Sequence, residues 1–431
     1  MVRKHPALER EISLWQAVLM GVGIILGAGI YVLIGKASSL AGNAVWLSFL
    51  LSALVAVFTG LSYAELSSIF PKAGAEYVYT KHAFGRRIAF IVGWLLIFSG
   101  FVFSATVSFG FAGYLERLFG FPQIISAVLL IVCLTVVIFY GIKESVWLAV
   151  VFTIIESSGL VIIIFMGLPY LGSVNYLEFP SLAGVFQAAA LIFFAYIGFE
   201  QITRLSEETK KPDINIPRAL LVAIAITTVL YIVVALSAVS ILDWQTLGKS
   251  SAPLADVASY AFGPNAFVII SVLALFATTS TVMLMLLATS RIIYGIGRSF
   301  SPKNPFARIH SKRHTPWIAT IATMVFSILF LGFGRIETVA NITDFLIFFT
   351  FIIINLSVII IRYKGFDKLR DFKIPLNIGR FPIIPVLGMI SCLILMAYMD
   401  FEIMLYAVLL IIAGFVISEI LERKGIKAKF E

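Results

Sequence analysis

The feature that most constrains this chain is the uncharged apolar run, because it recurs along the whole length. Stretches free of Asp, Glu, Lys and Arg cover 12–35, 37–64, 88–114, 118–142, 157–177, 179–199, 219–242, 257–290, 316–334, 345–361, 381–399 and 403–418. Most come close to or exceed the ~18 residues expected of a membrane-spanning helix. The run 257–290 is too long for one span, and Gly263, Pro264 and Asn265 mark a turn before its membrane portion. The pattern predicts an all-α integral membrane protein with twelve transmembrane helices. Only 13% of the residues are charged, against about 25% in soluble domains, so composition alone excludes a soluble fold.

A net charge of +9 might point to nucleic acid, but the placement of the basic residues argues otherwise. If the N-terminus lies inside, only Lys36, Arg117, Lys249 and Arg335 of the 32 basic residues fall in outside segments. Lys and Arg accumulate on the cytoplasmic side of membrane proteins, so both termini are expected in the cytoplasm and the basic balance reflects topology. The run 12–35 is too long for a signal-peptide core and is read as the first span. Cys133 and Cys392 lie in apolar runs and imply no disulfide framework. His5, His82, His310 and His314 all fall in the expected cytoplasmic segments, which argues against a metal or catalytic histidine site within the bilayer. The hydrophilic segments (204–218, 291–315 and 362–380 are the longest) are too short for a separate domain. No nucleophile–base pairing or phosphate-cradling loop is visible, so the sequence argues against an enzyme.

Two spans look interrupted. The first carries Gly27-Ala28-Gly29 at bilayer depth, where each glycine costs a helix about 1 kcal/mol relative to alanine. The sixth carries Phe193–Glu200, with Gly198 and an acid near its end. The two are five helices apart and enter the membrane from opposite sides, so they would be related by inversion. Paired interrupted helices in corresponding halves point to the binding site of a secondary transporter. Free amides at the helix 1 break suit a carboxylate; the rival reading is close helix packing through small residues.

Four stretches carry a family resemblance: GVGIILGAGIYVLIG (21–35), YAELSSIFPKAGAEYVYTKHAFG (63–85), FFAYIGFEQITRLSEETKKPDINIPRAL (193–220) and TSRIIYGIGR (289–298). The chain resembles the amino acid–polyamine–organocation transporters, in their cationic-amino-acid-transporter-like branch. The resemblance implies a LeuT-type fold, with two inverted five-helix repeats (1–178 and 179–364) and two further helices (365–431). Substrate would lie between the broken helices 1 and 6. By resemblance, Ile25, Gly27, Ala28, Gly29, Phe194, Ala195 and Ile197 would bind it. The Ile25 carbonyl would face an ammonium, and Phe194 would close over the ligand as an aromatic gate.

Glu156 lies near the middle of helix 5, where an ionised side chain costs about 2.5–3.5 kcal/mol even on a lenient scale. Several relatives place a lysine there as a stand-in for sodium, which a carboxyl cannot imitate. Either Glu156 carries a proton, or it attracts a cation beside Thr279 and Ser280, the helix 8 hydroxyls at the family's ion-site positions. Glu200 is expected to gate the inner pathway or take part in proton release, or else to pair with Arg204 as an interfacial acid. Tyr63, Glu65 and Lys72 read as a structured inner loop, Pro217 as the first turn of helix 7, and Asp344 as interfacial.

The expectation is a secondary active transporter in the cell membrane that moves an amino acid inward, with a neutral substrate favoured because no fixed charge is seen to pair with its side chain. A proton is the favoured coupling ion, sodium remains open, and no cofactor or metal is expected. The partners are the substrate and the lipid bilayer, without nucleic acid, in a monomer or weak homo-oligomer. A proton-independent amino acid or polyamine exchanger and a transporter-like amino acid sensor are the alternatives.

Overall fold

The computed structural model describes residues 12–423 except 72–74, 141, 301–303, 312, 314, 334–335 and 366–371. Lys72, His5, His314 and Arg335, named above, lie outside the described residues, as does the Arg204 side chain. The chain folds into helices α1 (Leu14–Leu26), α2 (Gly29–Ala41), α3 (Val45–Ile69), α4 (Ala75–Phe84), α5 (Arg86–Phe119), α6 (Gln123–Tyr140), α7 (Ile142–Gly167) and α8 (Leu182–Ile192). The second half follows with α9 (Pro212–Ile241), α10 (Trp244–Lys249), α11 (Pro253–Phe262), α12 (Pro264–Phe300), α13 (Trp317–Phe330), α14 (Ile336–Tyr363), α15 (Ile383–Ala397) and α16 (Phe401–Arg423). Among the described residues, 8 helical stretches are long and apolar enough to cross a membrane, and four shorter apolar helices accompany them. Large apolar side chains such as Ile124, Leu129, Phe165 and Leu329 point outward, as lipid-facing positions require. The protein is therefore a mostly helical, multi-span membrane protein.

Both interruptions are present. α1 ends at Leu26 and α2 begins at Gly29, with Gly27 and Ala28 between them. After α8, Phe193–Tyr196 winds as a 3-10 turn, Ile197 is extended, and Phe199–Glu207 forms a second 3-10 segment. Gly198 joins these at φ 125°, in a region that L side chains rarely adopt. The turn expected at Gly263 separates α11 from α12.

Among the described residues, one small antiparallel hairpin, Asn377–Ile378 with Phe381–Pro382, accompanies the helices. Two expectations need correction. The helix expected to start at Pro217 begins at Pro212, whose missing N–H costs nothing at a helix start, leaving Pro217 inside α9. Asp344 is not interfacial but fully buried within α14.

The inner-loop reading of Glu65 also sharpens into a contact. The Arg362 guanidinium donates from Nε to Glu65 Oε1 at 2.7 Å and from Nη2 to Oε2 at 2.5 Å. The Ile374 N–H donates to the same Oε2 at 2.9 Å, and Arg362 also reaches Asn377 of the hairpin. Two charges out of water thus satisfy each other and anchor the segment after α14 to α3. Breaking a buried pair by removing one partner costs about 3–5 kcal/mol. Glu65→Ala is therefore expected to lower the thermal unfolding midpoint of detergent-purified protein clearly; an unchanged midpoint would contradict the pairing.

Candidate functional site

The two breaks meet. An ideal Cβ on Gly29 would lie 2.5 Å from the Ala195 Cα, so only glycine lets α2 approach the 3-10 turn of helix 6 this closely. Joining them is Tyr231, fully buried on α9, whose hydroxyl lies 2.7 Å from the Ile25 carbonyl, 3.1 Å from that of Leu26 and 3.0 Å from that of Ala195. A phenol has one proton to donate, so three carbonyl oxygens converge on a single donor. Such a cluster suits a group with several N–H donors.

The opposite side of the helix 1 break is held by α12. The Ala28 N–H donates to Thr281 Oγ1 at 3.0 Å, while the Thr281 hydroxyl donates to the Ala277 carbonyl at 2.9 Å. Next to Thr281 in the chain, Ser280 Oγ donates to Glu156 Oε2 at 3.0 Å and lies equally close to the Ala277 carbonyl. Glu156 is buried, and its Oε1 has no hydrogen-bond partner among the described residues. Its backbone carbonyl accepts from Tyr31 Oη at 2.6 Å, and the Tyr31 carbonyl accepts from Tyr114 Oη at 2.8 Å. Glu156, Ser280 and Thr281 thus connect α7 through α12 to the unwound backbone of helix 1. Thr279 stands apart, its hydroxyl turned back onto the Leu275 carbonyl at 2.6 Å.

In helix 6 the rings splay apart. Phe194 stacks on Phe103 of α5 with centroids 4.2 Å apart, whereas Phe193 packs 4.6 Å from Phe348 of α14. Tyr196 donates to the Phe49 carbonyl at 3.1 Å. Ile197 is buried beside the turn, and Glu200 Oε2 accepts the Gly198 N–H at 2.9 Å, capping the second 3-10 segment. Of the residues singled out in the sequence, Ile25, Gly29 and Ala195 come together directly; Ala28 meets them through the helix 1 break and Glu156 through Ser280.

Tyr231 and Thr281 were not singled out from the sequence, and neither has a local signature there. Asp344 was singled out but placed wrongly. Its two carboxyl oxygens make no hydrogen bond of good geometry among the described residues, although the Phe194 N–H lies close enough to interact with it.

Two substitutions test this arrangement. Gly29→Ala is expected to separate the breaks and abolish ligand binding while leaving a membrane-inserted, monodisperse protein; retained binding would speak against the close approach. Tyr231→Phe strips the shared donor from three buried carbonyls, at a cost of about 1–3 kcal/mol, and is expected to lower both unfolding temperature and transport rate.

With this geometry in view, known proteins can be compared. The amino acid permease family matches residues 12–419. The branched-chain amino acid permease BcaP of Bacillus subtilis (strain 168) is 28% identical over 98% of this chain and 95% of its own length. The methylthioribose transporter of the same strain is 29% identical over 90% of this chain and 88% of its own. Cationic amino acid transporter 7, chloroplastic, from Arabidopsis thaliana is 28% identical over 83% of this chain and 66% of its own. A match across nearly all the spans, both broken helices included, fixes the class: this chain belongs to the amino acid permease family, and it is a membrane transporter of the amino acid–polyamine–organocation superfamily, not an enzyme.

Proposed function

We propose that this protein carries an amino acid across the cell membrane by alternating access, driven by a proton, within a twelve-span LeuT-type bundle. In this reading 1–178 and 179–364 form the inverted repeats and 365–431 the appended helices. Both termini face the cytoplasm, as the Lys and Arg distribution favours. The proposed site is built from one chain, so each chain would carry substrate by itself, as a monomer or within a weak homo-oligomer.

The observation that carries the reading is the convergence of the Ile25, Leu26 and Ala195 carbonyls at the Tyr231 hydroxyl. In lipid, bare peptide groups are tolerated only where they line a site or are satisfied by protein. In the proposal, the substrate ammonium takes the place of the phenol proton among these carbonyls. Amides at Gly27, Ala28 and Gly29 take the carboxylate, that of Ala28 leaving Thr281 Oγ1, which accepts its N–H in this structure, when the substrate binds. Phe194, Ala195 and Ile197 form the wall contributed by helix 6, and Glu200 holds the lower half of that helix in register through Gly198.

Glu156 is the proposed proton carrier. Ser280 can give its hydrogen to Glu156 or to the Ala277 carbonyl, but not fully to both. When Glu156 holds a proton, Ser280 can turn to the carbonyl; when Glu156 loses it, Ser280 turns back. The change reaches the helix 1 break through the neighbouring Thr281.

Purified protein in proteoliposomes provides the test. An inward proton gradient is expected to drive accumulation of a labelled amino acid, and Glu156→Gln is expected to abolish that accumulation while leaving exchange of amino acid for amino acid. Gradient-driven uptake that survives the substitution excludes Glu156 as carrier. Ligand binding without any flux would make the protein a sensor.

A further inference from the structure

An apolar groove of about 360 Å³ runs between α5, α12 and α13 and shares no residue with the substrate site proposed above. Phe90, Trp94, Ile97 and Phe101 line it from α5, spaced four, three and four apart, so one stripe of that helix forms its wall. Phe101 stacks on Phe326 of α13 with centroids 5.1 Å apart, and this pair closes one end. Gly297 of α12 forms the other end, with Asn304 and Phe306 of the segment that follows. The Trp94 N–H is donated to the Leu410 carbonyl at 3.0 Å, and Asn304 is the only other polar side chain in the lining among the described residues. A zwitterionic amino acid would lose its water here and find no partners in return.

The length of the groove fits one lipid chain. From Phe90 to Phe101, α5 rises by about 16 Å, close to half of the ~30 Å hydrocarbon core of a bilayer. In the orientation proposed above, α5 begins with Arg86 on the cytoplasmic side, so the groove spans the inner leaflet. At its lower end two arginines share an edge. An ideal Cβ on Gly297 would lie 2.9 Å from the Phe306 Cβ and 3.4 Å from the Ala307 nitrogen, which brings the neighbouring Arg298 and Arg308 together there. Both are exposed, and neither has an acidic partner among the described residues. Arg298 donates one long hydrogen bond, to Tyr294 Oη at 3.4 Å. Every charged residue between Asp256 and Glu337 is basic, and Glu419, which approaches the start of α5, is paired with Arg87. Phe306 and Ile309 are exposed on either side of Arg308, a mixture of apolar and cationic side chains that seats in a membrane interface.

We propose that this groove holds one acyl chain of an anionic phospholipid from the inner leaflet, with the lipid phosphate bound by Arg298 and Arg308. The chain lies along the Phe90–Phe101 stripe and ends at the Phe101–Phe326 stack. Arginine meets phosphate through charge-assisted, often bidentate hydrogen bonds. A zwitterionic headgroup would bring the same phosphate but would set its ammonium among cations, with no free carboxylate to receive it. The site therefore selects net negative charge on the lipid and not a phosphate alone. α12 also carries Ser280 and Thr281, so the lipid is bound to the helix that serves the helix 1 break.

Native mass spectrometry of the full-length protein tests it, with phosphatidylglycerol and phosphatidylcholine of identical acyl chains titrated into the detergent-purified sample. The unmodified protein is expected to retain one phosphatidylglycerol per chain, bound about tenfold more tightly than phosphatidylcholine, as charge-assisted phosphate contacts without an opposing ammonium imply. Replacing both exposed arginines, Arg298→Gln with Arg308→Gln, is expected to bring the ratio towards one. Ala322→Trp, which fills the groove from α13, is expected to weaken retention of both lipids. Equal retention of the two lipids by the unmodified protein overturns the assignment, and that comparison stands whether or not the variants fold. A preference that survives the loss of both arginines, undiminished retention in Ala322→Trp, or a second copy of the chain on this face in place of lipid overturns it equally. None of these outcomes bears on amino acid transport, which the proteoliposome assay above decides separately.

Discussion

The structure depends on one constraint: peptide groups set free in the middle of a bilayer have no water to turn to. Opening helix 1 at Gly27 and helix 6 at Ile197 frees several such groups, and each break is met by a specific side chain. Thr281 accepts the Ala28 amide, Glu200 accepts the Gly198 amide, and Tyr231 serves the carbonyls on both sides. α9 and α12 are thereby fixed against the breaks. The rest of the bundle is the frame that keeps these partners at hydrogen-bonding distance.

This logic explains what could be read from the sequence. Apolar runs report helices because they must match the membrane, and Gly27–Gly29 and Gly198 report breaks because glycine is costly in a helix unless its freedom is used. Glu156 stands out because an acid among aliphatic residues has few innocent explanations. Tyr231 left no such trace. It is one of 15 tyrosines, lies in an ordinary apolar run, and acquires its role only when α9 crosses the two breaks. Thr281 is similar: its neighbour Thr279 carries the same side chain, and only the rotation of α12 decides which hydroxyl meets Ala28.

Asp344 was misread for a different reason. Its place at the edge of an apolar run suggested the membrane surface, but α14 begins at Ile336 and includes polar residues before that run. The first two turns, with Glu337 and Asn341, face a cavity, so charge in the sequence does not mark the end of the span. Hydropathy reports the average surroundings of a segment, and a helix beside a water-accessible cleft breaks the link between polarity and depth. The same holds for Glu65 and Arg362, which lie far apart in the sequence and hide each other's charge.

The winding of Phe199–Glu207 has a mechanical consequence. A 3-10 helix rises about 2.0 Å per residue, against about 1.5 Å in an α-helix. The 9 residues of this segment are thus roughly 4–5 Å longer than the same residues wound as an α-helix. Just beyond it, the Lys210 N–H donates to the Ile12 carbonyl, and the Ile12 N–H donates to the Glu208 carbonyl. Ile12 stands two residues before α1, so the foot of one broken helix is tied to the tail of the other. Any tightening of the second would draw on the first like a cord taken up on a spool.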